Sequence, residues 1–471
     1  MLVFAACSLS SVTAAAQSTS WHGTLNGDVA LTDNVFAEPG YNLSSRNGDL
    51  FFQLRPGFLV ARNAPRMINT LLAEAEIIHY ALNSKYPSVS GRAGWNGFFL
   101  PGPRSEIVMG LNGSTGILTS LQSRSASNET MISVSPVGKV TFQQADASEY
   151  FSYIVTRELR FSQSLFARYN RTNDNAEDFE PPMENTITDS GEAGLALAID
   201  RAFQVSSLAL EGGVSVSRLE RQAPLTAMMG SRLDRQVTPR LRASYRRDLD
   251  QKYSLGADGG VVYVRPFGVD PYNPMDERHG GYFPIVGAQL SMTGVWGRGT
   301  LAARRDVTPN LEIAQNTVID SIALAAAFPL PWLDDSRRRS PKLIGLASLG
   351  VARTRLIDSV TSDTTSSIDA ARIDVAVSYL PRPGLSYTAR YEGQFQTSDD
   401  EAMAIVPGFY RNTIYFSFAV RYPSDVAGVV PKRRAGSANR ADRADQAPVG
   451  AEPVVPDLLD EGGEEGEGDE R

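Results

Sequence analysis

Few residues in this sequence are suited to catalytic chemistry. The 471 residues include three histidines, His22, His79 and His279, and no two of them have the spacing of a metal-binding pair. His279 follows Asp276 and Glu277 in a long polar segment, the one place where a histidine–carboxylate group could form. A nucleophilic serine in a Gly-x-Ser-x-Gly turn is missing. We therefore expect no enzyme, no metal site and no cofactor.

Charged residues instead recur at every second position, on the polar side of alternating segments. Those with this placement are Arg55, Glu74, Glu76, Arg168, Arg240, Arg242, Arg246, Asp258, Arg372, Asp374, Arg390, Glu392 and Arg421. If the segments are strands of one barrel, these side chains line its lumen, because side chains alternate across a strand. Charges around a pore set its selectivity, and an excess of arginine favours anionic solutes. Opposite charges on neighbouring strands would instead brace the wall, and both roles stay open.

The alternation of apolar and polar residues is the main feature of the chain. Residues 21–32, for example, place Trp21, Leu25 and Val29 on one face and polar residues on the other. The segments run for roughly nine to fifteen residues, which is longer than most soluble strands and suits a tilted strand that crosses a bilayer. No run of about eighteen apolar residues occurs, so a helical membrane protein is excluded.

The spacing predicts an all-β fold, a transmembrane antiparallel up-and-down β-barrel. Its strands lie near residues 21–32, 48–61, 68–82, 90–99, 105–123, 138–157, 161–171, 189–199, 203–218, 234–246, 252–264, 283–293, 299–306, 317–328, 342–356, 368–380, 384–397 and 411–422. Sixteen or twenty strands are also compatible with residues 105–157. Short connections alternate with long polar ones, as expected for short periplasmic turns and long external loops. Both chain ends then lie on the periplasmic side.

The two ends of the chain differ from the predicted barrel, which spans residues 17–422. Residues 1–16 are typical of a signal peptide that lacks its basic beginning, and they contain the single cysteine. Residues 423–471 carry a net charge of −6 out of −8 for the whole chain. A segment so charged and so poor in apolar residues cannot bury a core, so we expect a disordered periplasmic tail. One hypothesis is that it docks onto a periplasmic partner or onto peptidoglycan.

The long segment 265–282 is the predicted loop with the most distinctive composition. It contains proline, glycine and aromatic residues in RPFGVDPYNPMDERHGGY. Loops of this length are often functional. It could fold inward as a constriction of the pore or remain a solvated external loop.

Several short segments together resemble a known family. They are LTDNVF at 31–36, TREL at 156–159 before LFARY, YRRD at 245–248 before YSL, and PRPGLSY at 381–387. In this combination the chain is similar to myxobacterial polysaccharide-export β-barrel porins, over most of residues 20–422. The resemblance implies an outer-membrane passage for a polysaccharide, handed over by a periplasmic polysaccharide-export protein. It carries no catalytic motif.

The sequence thus predicts a channel in the bacterial outer membrane, in contact with its lipid and not with nucleic acid. Export of a secreted polysaccharide is the first interpretation. A general diffusion porin and a plugged structural or adhesive barrel are the alternatives. A barrel of sixteen or more strands leaves an aqueous channel, which favours a conduit.

Overall fold

The computed structural model describes residues 18–34, 48–82, 88–118, 139–175, 187–223, 230–275, 277–330, 343–358, 364–382, 384–399 and 408–423. The predicted signal peptide, residues 1–16, and the predicted tail beyond Pro423 lie outside them. The described residues form strands β1 to β18, numbered in chain order. They are Ser18–Thr32, Asp49–Ala64, Met67–Tyr80, Ser88–Gly102, Ser105–Leu118, Lys139–Ile154, Leu159–Asn175, Ile187–Ala202, Ser206–Gln222, Arg232–Asp248, Tyr253–Pro266, Gly281–Gly294, Gly297–Asn310, Gln315–Pro329, Leu343–Ile357, Thr364–Arg382, Leu385–Ser398 and Phe409–Tyr422.

The strands close into one antiparallel barrel. Each strand pairs with its neighbours in the chain, and β1 also pairs with β18, from Gly23 opposite Tyr422 to Thr32 opposite Thr413. Closure leaves no edge strand, so every strand has hydrogen-bonding partners on both sides. The predicted all-β barrel of eighteen strands is confirmed.

The connections divide the barrel into a turn side and a loop side. The turn side holds Ser18, Tyr422 and short links such as residues 65–66 and 295–296. Side chains close some of these turns: Asp250 Oδ1 accepts hydrogen bonds of 2.7 Å from the backbone N–H groups of Lys252 and Tyr253. Gly297 begins β13 at φ +128°, a conformation that L residues rarely adopt.

The loop side holds most of the long connections, although residues 330–342 between β14 and β15 form a long connection on the turn side. One connection on the loop side is short. Residues 307–316, predicted as a polar loop, are mostly strand: β13 runs to Asn310 and β14 begins at Gln315. Only residues 311–314 join them. The prediction of a long loop at this place was wrong, because the polar residues there belong to a hairpin that continues the ladder.

Candidate functional site

The face of the barrel that points outward is apolar. On β1, Trp21, Leu25 and Val29 are 66%, 37% and 40% exposed, whereas His22 and Asp28 on the other face are 2% and 7% exposed. The same alternation of exposed apolar and buried residues continues around the barrel. An apolar surface of this extent is far larger than a soluble monomer exposes, and hydrocarbon is the solvent that it suits.

Aromatic side chains gather on this outer face near the turn side. They are Trp21, Tyr153, Tyr245, Tyr253, Trp296, Tyr379, Tyr387 and Tyr422. Aromatic girdles of this kind sit at the membrane–water interface, where an amphipathic ring has one apolar and one wet environment. The protein is an outer-membrane β-barrel. No helix long and apolar enough to span a membrane is found in the part of the chain that the structure describes.

All the charged residues that the sequence placed in the lumen alternate with these outward residues, and they therefore lie on the inner face. Arg55 pairs with Asp28 across β1 and β2 at 3.0 Å. Glu74 pairs with Arg92 on β4 at 2.5 Å, and Glu76 accepts a hydrogen bond of 2.9 Å from Ser90 on the same strand. On this part of the wall, the charges form ladders between neighbouring strands.

A second set of charges lies on β9 to β11. Arg242 pairs with Asp258 across β10 and β11 at 2.8 Å. Arg240 reaches Glu211 on β9 at 3.3 Å, and Arg246 reaches Asp248 on its own strand at 3.8 Å. These arginines are about one fifth to two fifths exposed, so they remain in contact with the lumen while they pair.

The densest group of charges is on β16 and β17. The Arg390 guanidinium lies between two carboxylates, with Nε 2.8 Å from Asp374 Oδ2 and Nη2 2.9 Å from Glu392 Oε2. Arg372 completes the group at 3.3 Å from Glu392. The ring of Tyr415 on β18 lies beneath the Arg390 guanidinium at 5.5 Å. Two cations and two anions thus share one patch of wall, and its net charge is zero.

Arg168 and Arg421 complete the predicted set of inner-wall residues. The Arg168 guanidinium lies 5.5 Å from the Phe166 ring centre, a cation–π distance. Arg421 is exposed at the turn-side end of β18, where its backbone N–H donates to Gly384 O. Sequence reasoning missed Arg411, which is buried on the inner face and donates a 2.6 Å hydrogen bond to Gln394.

The β13–β14 hairpin enters the lumen. Its tip, residues 311–314, reaches the wall at β7, six strands away from β13, where Asn170 donates a 3.1 Å hydrogen bond to the Leu311 carbonyl. Lower on the hairpin, the Asn316 amide donates to Gln236 of β10. Both faces of the hairpin end are buried, since Val318 and its neighbour Ile319 are 0% and 5% exposed. A strand end that projected into solvent would not be buried on both faces.

Local contacts fix the shape of this tip. Asn310 Oδ1 accepts hydrogen bonds of 3.0 and 3.3 Å from the N–H groups of Glu312 and Ile313. Ala314 adopts φ +53°, which is uncommon for a residue with a side chain. Val307 and Val318 then pack against Val262 and Ile285 on the neighbouring wall. The tip is a packed element placed across the passage.

The long loop after β11 is fastened to the wall. Arg278 pairs with Asp234 at 3.0 Å and with Asp270 at 2.8 Å, and all three are buried. Tyr272 donates a 3.2 Å hydrogen bond to Glu220 on β9. Burial and the Glu220 carboxylate raise the pKa of Tyr272. Within the described residues, it is the tip of the β13–β14 hairpin, and not this loop, that crosses the lumen and hydrogen-bonds to β7.

The histidines are not assembled into a reactive group by the described residues. His22 lies on the inner face with Nδ1 2.6 Å from the Pro423 carbonyl, and His79 lies on the outer face of β3. Asp276, the predicted partner of His279, lies outside the described residues. No cluster of three metal-ligating side chains occurs in the described ranges.

Solved structures with a similar fold come from several bacteria. OccAB3 of Acinetobacter baumannii is 11% identical, with 86% of this chain and 99% of that chain covered and a TM-score of 0.43. Pseudomonas aeruginosa OccK2, solved in complex with glucuronate, is 12% identical over 86% and 98%, with a TM-score of 0.40. The ferric-catecholate import receptor Fiu of E. coli is 8% identical over 85% and 81%, with a TM-score of 0.45. Neither a protein-family model nor a curated protein matches the sequence.

Proposed function

We propose that the protein is an outer-membrane channel rather than an enzyme, and that its cargo is a secreted polysaccharide. The observation that carries the proposal is the inner wall: a closed barrel of eighteen strands presents paired charges and amides toward its axis. Paired charges offer a hydroxyl-rich polymer many hydrogen bonds without holding it by one strong charge, and transit requires binding that is weak and repeated.

The same proposal includes the direction of transport and the protein that delivers the polysaccharide. The resemblance of the sequence to polysaccharide-export porins supports outward transport, with a periplasmic export protein that delivers the polymer at the turn side. A general diffusion porin is the first alternative, because the wall is equally suited to small polar solutes. A plugged structural barrel is the second, and the hairpin placed across the lumen is the feature that favours it.

Conductance in a planar bilayer separates these functions. We expect steady currents from the mature chain, with block by an acidic polysaccharide and no block by an equal mass of its monosaccharide. If neither the polysaccharide nor its monosaccharide blocks the current, the protein is a general diffusion porin, and the polysaccharide proposal is contradicted. Silence from a folded sample, verified by its heat-modifiable gel migration, would mean a plugged barrel and would refute the channel.

A further inference from the structure

The outer wall carries an open groove across β12 to β17. Its floor is one row of outward residues joined by the strand register: Ala288, Ala303, Ile322, Val351, Ala371 and Phe395. The alanines form the hollow and the larger residues form its sides. The groove has a volume of about 680 Å³. The groove lies on the face that the hydrocarbon of the membrane covers, so an acyl chain can fill it without a desolvation penalty.

Charged side chains line the loop-side end of this groove. The next outward row contains Arg305, Asp320, Arg353 and Asp369, again opposite one another in the register. Arg355 lies one step further toward the loops and pairs with Asp320. Arginine on a lipid-facing wall is unfavourable at the middle of a bilayer and nearly free at its surface. These residues therefore mark the level of the headgroups on the loop side.

When Arg355 is counted with this row, the charges do not cancel. Asp369 is held by Arg353 through two hydrogen bonds of 2.7 and 2.8 Å, and Asp320 contacts both Arg355 and Arg305, the latter at 3.5 Å from Nε. Three cations face two anions. The Arg353 side chain is still 59% exposed although it pairs, so part of its guanidinium edge remains open toward the membrane. That edge can take a second anion.

We propose that this groove binds a phosphorylated, multiply acylated lipid of the outer leaflet, of the lipid A class. Its phosphate would bind the Arg305 and Arg353 guanidinium groups, whose planar N–H forks match phosphate oxygens two at a time. One acyl chain would lie along the alanine row below. The proposal rests on the position of the barrel in the outer membrane and is independent of what passes through the lumen.

Binding to the delipidated full-length protein in detergent tests the site. Lipid A, phosphatidylethanolamine and inorganic phosphate are titrated separately, with native mass spectrometry as the readout. We expect lipid A to bind, phosphatidylethanolamine to bind at least about tenfold more weakly, and phosphate not to compete. The double variant Arg305→Gln/Arg353→Gln removes the charge-assisted contacts of both arginines and is expected to raise the apparent Kd for lipid A by at least roughly tenfold.

A second variant tests the groove without touching the charges. Ala303→Phe places a ring on the floor of the groove and is expected to weaken the binding of lipid A by a similar factor. Because residue 303 points outward, the substitution leaves the core intact. The matched control is Arg171→Gln, which replaces an exposed outward arginine on β7 away from the groove. Its apparent Kd for lipid A is expected to stay within about twofold of the original value. Equal binding by all variants would refute the site. Full competition by inorganic phosphate would also refute it, since the ligand would then be an anion and not a lipid.

Discussion

Arg390 shows how charged side chains are paired on the inner wall. Its guanidinium satisfies Asp374 and Glu392 together, and Arg372 supports Glu392 from the next strand. A carboxylate left alone at such a position would project a full negative charge into the lumen. The pairs therefore do two things at once: they brace neighbouring strands and hold the local field near zero.

Removal of one cation from this group should make the pore cation-selective. Arg390→Gln leaves Asp374 and Glu392 with Arg372 as their remaining cation in the group. At about 5 Å in water, one unit charge changes the energy of a passing ion by about 0.8 kcal/mol, or roughly two- to fourfold in local concentration after screening. The reversal potential in a salt gradient measures this shift.

Two companion variants control the experiment. Asp374→Asn should shift the reversal potential in the opposite direction, because it leaves the arginines in excess. Arg171→Gln removes the same charge from the outer wall and should leave selectivity unchanged. A shift of equal size in Arg171→Gln would show that the effect comes from the overall charge of the protein, and the local interpretation would be wrong.

At the level of elements, strands were predictable and the inserted hairpin was not. Two-residue alternation and turn residues determine where strands begin and end, and eighteen of them follow from the sequence alone. Pairing partners such as Asp28 with Arg55 need the register, which alternation does not give. The sequence held a faint signal of the hairpin: Thr317, Val318 and Ile319, at the start of the predicted strand 317–328, suit burial on both faces.

The hairpin tip should limit the conductance. Replacement of residues 311–314 by Asn-Gly, a sequence that favours a two-residue turn between antiparallel strands, shortens the hairpin without breaking its ladder. We expect a larger single-channel conductance, because Leu311 and its neighbours no longer reach β7. Single-channel recording at matched salt is the measurement.

A milder change tests the contact between the hairpin tip and β7 separately from the tip itself. Asn170→Ala removes the hydrogen bond to the Leu311 carbonyl and keeps every residue of the hairpin. We expect noisier open-channel current with a mean conductance between those of the original protein and the shortened variant. If both variants conduct like the original protein, ions do not pass the tip and the hairpin is not the constriction.

For the whole molecule, closure of the barrel is the decisive event, since it joins β1 to β18 across nearly the entire chain. At this seam Gly27 lies opposite Phe418, and the ring covers the glycine so closely that a β-carbon there would collide with it. An aromatic residue that covers a glycine on the neighbouring strand replaces the packing that the glycine lacks. Phe416 lies on the same face, opposite Val29, and is 63% exposed.

This difference between Phe418 and Phe416 predicts that their replacement by alanine lowers the free energy of unfolding by unequal amounts. Phe418→Ala should lower the free energy of unfolding by about 1 kcal/mol more than Phe416→Ala, because only the former uncovers a glycine at the seam. Phe416 is 63% exposed and Phe418 37%, so the larger loss of contact with lipid falls on Phe416→Ala and cannot produce the expected excess for Phe418→Ala. Urea unfolding in lipid vesicles, followed by tryptophan fluorescence, gives the two values. Equal losses would mean that the seam is held by its backbone ladder alone, and that Phe418 serves the lipid contact as Phe416 does.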